Sequence, residues 1–343
     1  MESYSKSRIL ECVPNFSEGR DILIINEIIK NIEIVKDVKI LHTDIGFDAN
    51  RTVITFAGEP DAVIKAAFNG VQVASKRIDM SLHKGTHPRI GSTDVLPLVP
   101  IRNISIEEVV KMSYKLANRI GEELQIPVYC YEKSAKLPER VRLENIRKGE
   151  YEGLPLIIAN PQWRPDYGPA TFNSKSGATV LGARHILIAF NVNIDTNSVE
   201  IASKIASRVR ESGRLETDGT GNKKRIPGLL KGIKAIGWYI EEYKKAQVSM
   251  NITDIQQTSL HKSFETVKKV AEEFGVKVTG SELVGLAPLI AFIEAGKFYD
   301  KGKSNFSEKD LINITIEKLG LDELKPFDPD KRILEYLFEK SYL

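Results

Sequence analysis

Three short stretches of the chain concentrate residue types that carry chemistry. The first runs His42-Thr43-Asp44-Ile45-Gly46-Phe47-Asp48-Ala49-Asn50-Arg51-Thr52. Carboxylates, an amide, an imidazole and a guanidinium crowd into about ten residues, a density typical of loop-borne sites. A polar hairpin turn would draw on the same Gly, Asp and Asn, so both readings stand at this point. The second, Ser81 to Asp94, holds His83 and His87, two of the five histidines. Their spacing of four would suit a zinc site on a helix. Gly85 and Pro88 argue against a helix, no Glu lies between the histidines as in HExxH, and no cysteine is near. No metal site is expected. Acid–base work is, because imidazole titrates near neutrality. Lys84 and Arg89 suit an anionic substrate, and His83 has the plainer alternative of bonding the loop backbone. The third stretch, Asp166 to Thr179 with Gly182-Ala183-Arg184 after it, has glycines that let backbone approach a flat ligand. A flexible linker is its ordinary alternative.

Other chemistries find no support. GxxxxGK[ST], GxGxxG and GxSxG are all absent, which removes the usual signatures of nucleotide binding and of an α/β-hydrolase serine. Cys12 and Cys130 are the two cysteines, too few for a disulfide scaffold, so a reducing cytoplasm is expected. The N-terminus lacks the apolar core of a signal peptide. No apolar run approaches the ~20 residues of a membrane span. A net charge of +3 over 343 residues does not suggest a nucleic-acid binder.

The elements that must position these stretches follow two similar rhythms. In the first half, Arg8–Val13 reads as a strand and Asp21–Ile32 as a helix. Val38–Thr43 and Thr52–Ala57 read as strands. A helix opens at Pro60-Asp61, and Ser105 with Glu108 has capping-box spacing before another. Ile126–Tyr131 closes the series as a strand, with Met80–Val99 an added segment. In the second half, Ile186–Val192 is a strand and Ser198–Val209 a helix. Gly232–Ile240 and Ala246–Ile252 form a β pair, Thr258–Phe274 a helix, Val276–Val278 a strand and Val284–Glu294 a helix. The Gly-rich, charged segment 211–228 reads as a mobile loop. Both halves approximate β-α-β-β-α-β. The expected class is therefore α+β, two ferredoxin-like subdomains with a ligand cleft between them. The expected boundaries are 1–183, 184–305 and a helical extension over 306–343.

Several stretches resemble the glutamate formimidoyltransferase (formiminotransferase) family. They are ECVPNFSEGR, NRTVITFAGEP, IDMSLHKGTHPRIGSTDVLPLVPI, GATVLGARHILIAFNVN, GIKAIGWYIEEYKKAQVSMN and GSELVGLAPLIAF, in family order from Glu11 to Phe292. The resemblance implies transfer of a formimidoyl group from N-formimidoyl-L-glutamate to N5 of tetrahydrofolate, a step of histidine breakdown. It implies folate bound between two α/β subdomains, a homodimer, and a cytoplasmic enzyme. It makes His87 the catalytic histidine and Asp44 the acidic residue that assists it. The folate-binding stretch would be Gly168, Pro169, Ala170, Thr171, Phe172, Asn173, Ser174, Lys175, Ser176 and Gly177. Some members of the family are fused to a cyclodeaminase; here a separate cyclodeaminase is expected to act downstream.

The chemistry is compatible with the residues. A neutral imidazole suits removal of the N5 proton and its return to the leaving glutamate nitrogen. Arg51, Lys84 and Arg89 are candidates for the glutamate carboxylates, Arg89 foremost because its planar fork matches a carboxylate. Lys223-Lys224-Arg225 is a candidate for the folate tail. Formyl transfer from N-formylglutamate, or handling of 5-formyltetrahydrofolate, is the alternative reaction. A folate-binding module without turnover and an RNA-binding protein are the other classes considered; LIAFNVN lacks the basic Gly-aromatic pattern the latter would need.

Overall fold

The computed structural model describes residues 7–47, 49–85, 87–217, 221–301 and 306–339. The chain divides into two units, Met1–His185 and Ile186–Leu343.

The first unit runs β1 (Ile9–Cys12), β2 (Asn15–Phe16), α1 (Ile22–Glu33), β3 (Val38–Gly46), β4 (Arg51–Gly58) and α2 (Pro60–Arg77). It continues with β5 (Thr93–Arg102), α3 (Ile106–Leu124), β6 (Val128–Cys130), α4 (Leu143–Ile146), α5 (Glu150–Ala159) and β7 (Thr179–Ala183). Local chemistry sets the helix starts. The Asp21 side chain accepts from Leu23 and Ile24, Pro60 sits in the first turn of α2, and Ser105 with Glu108 forms a reciprocal capping box. Ile25, Ile28 and Ile32 of α1, Val63, Ala67 and Val71 of α2, and Leu116 and Ile120 of α3 are buried on their apolar faces.

The sheet departs from the expected order. β3 pairs β4, which pairs both β1 and β2; these pair β5, and β7 then inserts between β5 and β6. The β5–β7 and β7–β6 pairs are parallel and the rest antiparallel. The added segment therefore supplies a central strand, β5, and the stretch after Gly177 supplies another. Both faces of this half of the sheet are covered. Leu96, Leu98 and Leu181 join the core under the helices. Val95, Tyr129 and Val180 point the other way into a second cluster with Ile146, Leu154 and Ile158 of α4 and α5. Strands buried on both faces read as continuous apolar runs, which hides their period from sequence.

The second unit runs β8 (Ile188–Ile194), α6 (Val199–Val209), β9 (Arg214–Thr217), β10 (Lys223–Ile226), β11 (Ile233–Ile240) and β12 (Lys245–Ile252). It continues with α7 (Leu260–Glu273), β13 (Val278–Val284), α8 (Leu289–Asp300), α9 (Glu308–Leu319), α10 (Pro329–Arg332) and α11 (Leu334–Glu339). Four antiparallel strands lie in the order β11-β12-β8-β13. Phe190, Val192 and Val248 face the helices, while Asn191, Asn193 and Gln247 alternate onto the other face.

Three expectations change here. The segment read as a loop over 211–228 contains an antiparallel hairpin, β9 with β10, and Lys223, Lys224 and Arg225 on it are exposed. The helix expected over Val284–Glu294 starts instead at Leu289. Val284 ends a strand, Gly285 turns at φ +75° and Pro288 caps the helix. The segment read as a separate extension shares the second unit's core through Ile312, Ile316, Leu319, Leu321 and Ile333. Among the described residues no helix is long and apolar enough to cross a membrane.

One close approach knits the first unit's loops. Gly91 bridges Gly177, and a Cβ on Gly91 would lie 2.1 Å from the Ala178 carbonyl oxygen. Gly91→Ala is expected to destabilise the protein by ~1–3 kcal/mol through overpacking, measured by chemical denaturation. An unchanged denaturation midpoint would show that the loops separate at no cost.

Candidate functional site

Asn50 ends the turn after β3 with φ +47°, and its three polar groups tie three chain segments together. Its side-chain oxygen accepts from the Gly19 N–H at 2.9 Å, and its amide donates to the Lys84 carbonyl at 2.9 Å. Its own carbonyl accepts from His83 Nε2 at 2.9 Å. The segments touch at backbone distance. A Cβ on Gly19 would lie 2.4 Å from the Gly46 carbonyl oxygen, and one on Gly85 2.2 Å from that of Ala49. The strap Asn15–Gly19 continues the connection, because Ser17 Oγ donates to the Gly91 carbonyl and Thr52 Oγ1 donates to that of Glu18.

The third polar stretch joins the same assembly. Met80 N–H donates to the Lys175 carbonyl, Ser92 N–H to that of Ser176, and Ala178 N–H to that of Ile90. Tyr151 donates to the Ser174 carbonyl, and its ring lies 5.5 Å from that of Phe172. All three stretches singled out by residue type thus meet in the first unit. Within the third, Ser176 and Gly177 are buried anchors, while Gly168, Pro169, Ala170, Thr171, Phe172, Asn173, Ser174 and Lys175 stay partly or fully exposed. Lys175 spends its ammonium on the Lys76 carbonyl. Asp48 and Thr86, which belong to the first two stretches, lie outside the described residues.

His87 is partly exposed, with Nδ1 2.7 Å from the Pro88 carbonyl oxygen. A carbonyl only accepts, so Nδ1 carries the proton and Nε2 holds the lone pair, with no hydrogen bond to it among the described residues. Burial, then the nearby Arg51 charge, pushes the imidazole below its ordinary pKa, so at neutral pH it is a base. His83 differs. It is buried, it accepts from Arg89 Nε at Nδ1, and it donates from Nε2 to Asn50. Both of its nitrogens are taken, so the two histidines do not share a ligand; His83 bonds the loop backbone.

Arg89 is not placed as its residue type suggests. Its five N–H groups go to His83 Nδ1, the His83 carbonyl, Glu150 and both oxygens of Glu152. It is buried and saturated, a tie between the histidine loop and the start of α5. Its hydrogen bonds hold the Glu152 carboxyl down at about 2. Lys84 is exposed. Asp44 is exposed on β3 opposite Val53, within the field of Arg51, and no hydrogen bond joins it to His87 among the described residues.

Residue type alone did not mark Arg147 and Asp94 as partners. Asp94 is buried, accepts from the Ile90 N–H at 3.0 Å, and forms an ion pair with Arg147. Both lie within the field that acts on His87. The signal was a buried carboxylate at the start of β5, which needs a cation from somewhere in the chain. The thiols take no part: Cys12 and Cys130 are buried, and burial pushes Cys130 up to about 12.

Comparison with known proteins places this geometry. The chain matches the formiminotransferase domain, N-terminal subdomain, over residues 9–184, and the formiminotransferase domain over 189–339. It is 42% identical to glutamate formimidoyltransferase of Streptococcus pyogenes serotype M1, covering 85% of this chain and 93% of that protein. It is 38% identical to glutamate formimidoyltransferase of Thermoplasma acidophilum, covering 90% and 98%. It is 45% identical to formimidoyltransferase-cyclodeaminase of Mus musculus over 98% of this chain, and the chain spans 61% of that relative's length.

Asn50→Ala removes two side-chain hydrogen bonds at a left-handed position, and a loss of ~1–3 kcal/mol in unfolding free energy is expected. Denaturant titration checks it, and a wild-type midpoint would show that the strap and loops hold without Asn50. Glu152, depressed by Arg89, contributes stability that is complete above its ordinary value of 4.5 and lost as pH falls toward about 2. Glu152→Gln should flatten that part of the acid-stability curve; an unaltered slope would remove the pair from the acid response.

Proposed function

This chain belongs to the formiminotransferase family, and from that premise we propose that it moves a formimidoyl group from N-formimidoyl-L-glutamate to N5 of tetrahydrofolate. L-glutamate and 5-formimidoyltetrahydrofolate are the products. The observation that carries the proposal is His87, with Nδ1 pinned to Pro88, its lone pair therefore on Nε2, and a depressed pKa that leaves the imidazole unprotonated at neutral pH.

Tetrahydrofolate, as co-substrate, supplies the N5 nucleophile. The partly exposed backbone of Gly168–Lys175 and the Phe172 ring beside Tyr151 suit a flat ligand, and Ser176 and Gly177 anchor that stretch to Gly91 and Ser92. His87 Nε2 takes the N5 proton as the N5–carbon bond forms. It returns the proton to the glutamate nitrogen as that carbon–nitrogen bond breaks. Asp44 offsets positive charge that develops on the imidazolium and the transferred group. Arg51 and Lys84 would meet donor carboxylates, since every Arg89 N–H already has an acceptor. No step requires a metal, because the transferred carbon is already an activated amidine and the enzyme's task is positioning. The second unit's β-α-β-β-α-β order with strands β11-β12-β8-β13 supports a ferredoxin-like reading of that unit. The same premise carries a cytoplasmic homodimer, whose product a cyclodeaminase would consume.

Purified protein given both substrates should release glutamate only when both are present. No product would overturn the proposal, and a higher kcat/KM with N-formylglutamate would favour formyl transfer instead. His87→Ala should lower kcat by ~10²–10⁴ with the fold retained. Near-wild-type turnover would take the base role away from His87.

A further inference from the structure

The site holds more positive charge than its own ion pairs use. Three charged groups act on His87: Arg51 from β4, Arg147 from the turn after α4, and Asp94 from β5. Asp94 is buried and neutralises one guanidinium, binding Arg147 through Nε and one Nη. Its remaining bond comes from the neutral Ile90 N–H. The second guanidinium has no such counter-ion in contact among the described residues. Arg51 donates one Nη to the amide oxygen of Asn15. Its Nε is buried and has no partner among the described residues. A buried N–H on a cation is unfavourable until an acceptor reaches it. Arg147, held on Asp94 by one edge, has no described partner for its other Nη. Asp44, exposed, shares the field of Arg51 without bonding it.

We propose that Arg51 and Arg147 together form the seat for one carboxylate of the formimidoyl donor, Arg51 through its unpartnered Nε and Arg147 through the edge that Asp94 does not use. This rests on the reaction proposed above and adds a residue and a consequence to it. Asp94 acts as a positioning residue: it fixes the orientation of the Arg147 fork. The guanidinium charge that Asp94 leaves unneutralised matches one carboxylate. The consequence is electrostatic. The same two guanidiniums that seat the carboxylate also act on His87, so a seated carboxylate offsets them. The base strengthens when, and only when, the donor is in place.

The experiment uses the whole chain and L-glutamate, the product, as the probe. The His87 ring resonance, assigned by its disappearance in His87→Gln, is titrated with and without saturating L-glutamate. The expected result is a pKa higher by about 1 unit with glutamate, and no change with glutamate dimethyl ester, which carries neither carboxylate. In parallel, Arg51→Lys and Arg147→Lys keep the charge but lose the fork, and each should raise KM for the donor ~10-fold or more while KM for tetrahydrofolate stays put. Lysine at position 147 still offers Asp94 a cation. If that variant does not fold, Arg51→Lys and the wild-type titration decide. A His87 titration unmoved by bound glutamate, or an unchanged donor KM in a folded variant, overturns the seat. Absence of any formimidoyl transfer by the wild type overturns the reaction instead, and the two failures are told apart by the product assay.

Discussion

The arrangement of the site depends on one side chain that does no chemistry. Asn50 holds the Gly19, Lys84 and His83 backbones or rings at hydrogen-bond distance, and it does so from a left-handed conformation that Asn tolerates better than most residues. Glycines at 19 and 85 are required because the segments meet backbone to backbone, with no room for a Cβ. Arg51, whose charge acts on His87, is the next residue in the chain. The polar density of the first two stretches is thus partly structural: some of those residues exist to hold the others still.

Ion pairing divides the cations of the first unit into two kinds. Arg89, bound by Glu150 and Glu152, and Arg140, paired with the equally buried Asp166, are spent inside the fold. Arg89 has an acceptor for every donor, and the Arg140 charge is neutralised by Asp166, although its buried Nε has no partner among the described residues. Arg51 and Arg147 are different, because both bear on the imidazole of His87. The distinction rests on the partners each guanidinium has and on the field it exerts at His87, rather than on residue type.

Much of the fold was legible because short-range chemistry settles it. The caps at Asp21, Ser105 and Ser198, the amphipathic faces of α1, α3 and α7, and the alternation in β8 all follow from periods and side-chain reach within a few residues. The insertion of β5 and β7 into the middle of the first sheet was not legible. Those strands are buried on both faces, so alternation vanishes, and β7 pairs with strands far away in the chain. The hairpin over Arg214–Ile226 was hidden for the opposite reason: it is almost wholly exposed and buries too little to leave an apolar pattern.

By itself, the sequence determined the family, through its motifs, and singled out three polar stretches that meet in the first unit. It did so because reactive side chains and the glycines around them must be encoded locally. Only the tertiary structure decided which of those residues are free to act. Arg89 was the best carboxylate binder by type, yet Glu150 and Glu152 reach it from α5, some sixty residues on, and together with His83 they occupy it completely. Arg147 was not singled out by type, yet it pairs with buried Asp94 and both lie within the field that acts on His87. Availability depends on the partners a side chain meets in space, and neighbours in the chain do not specify them.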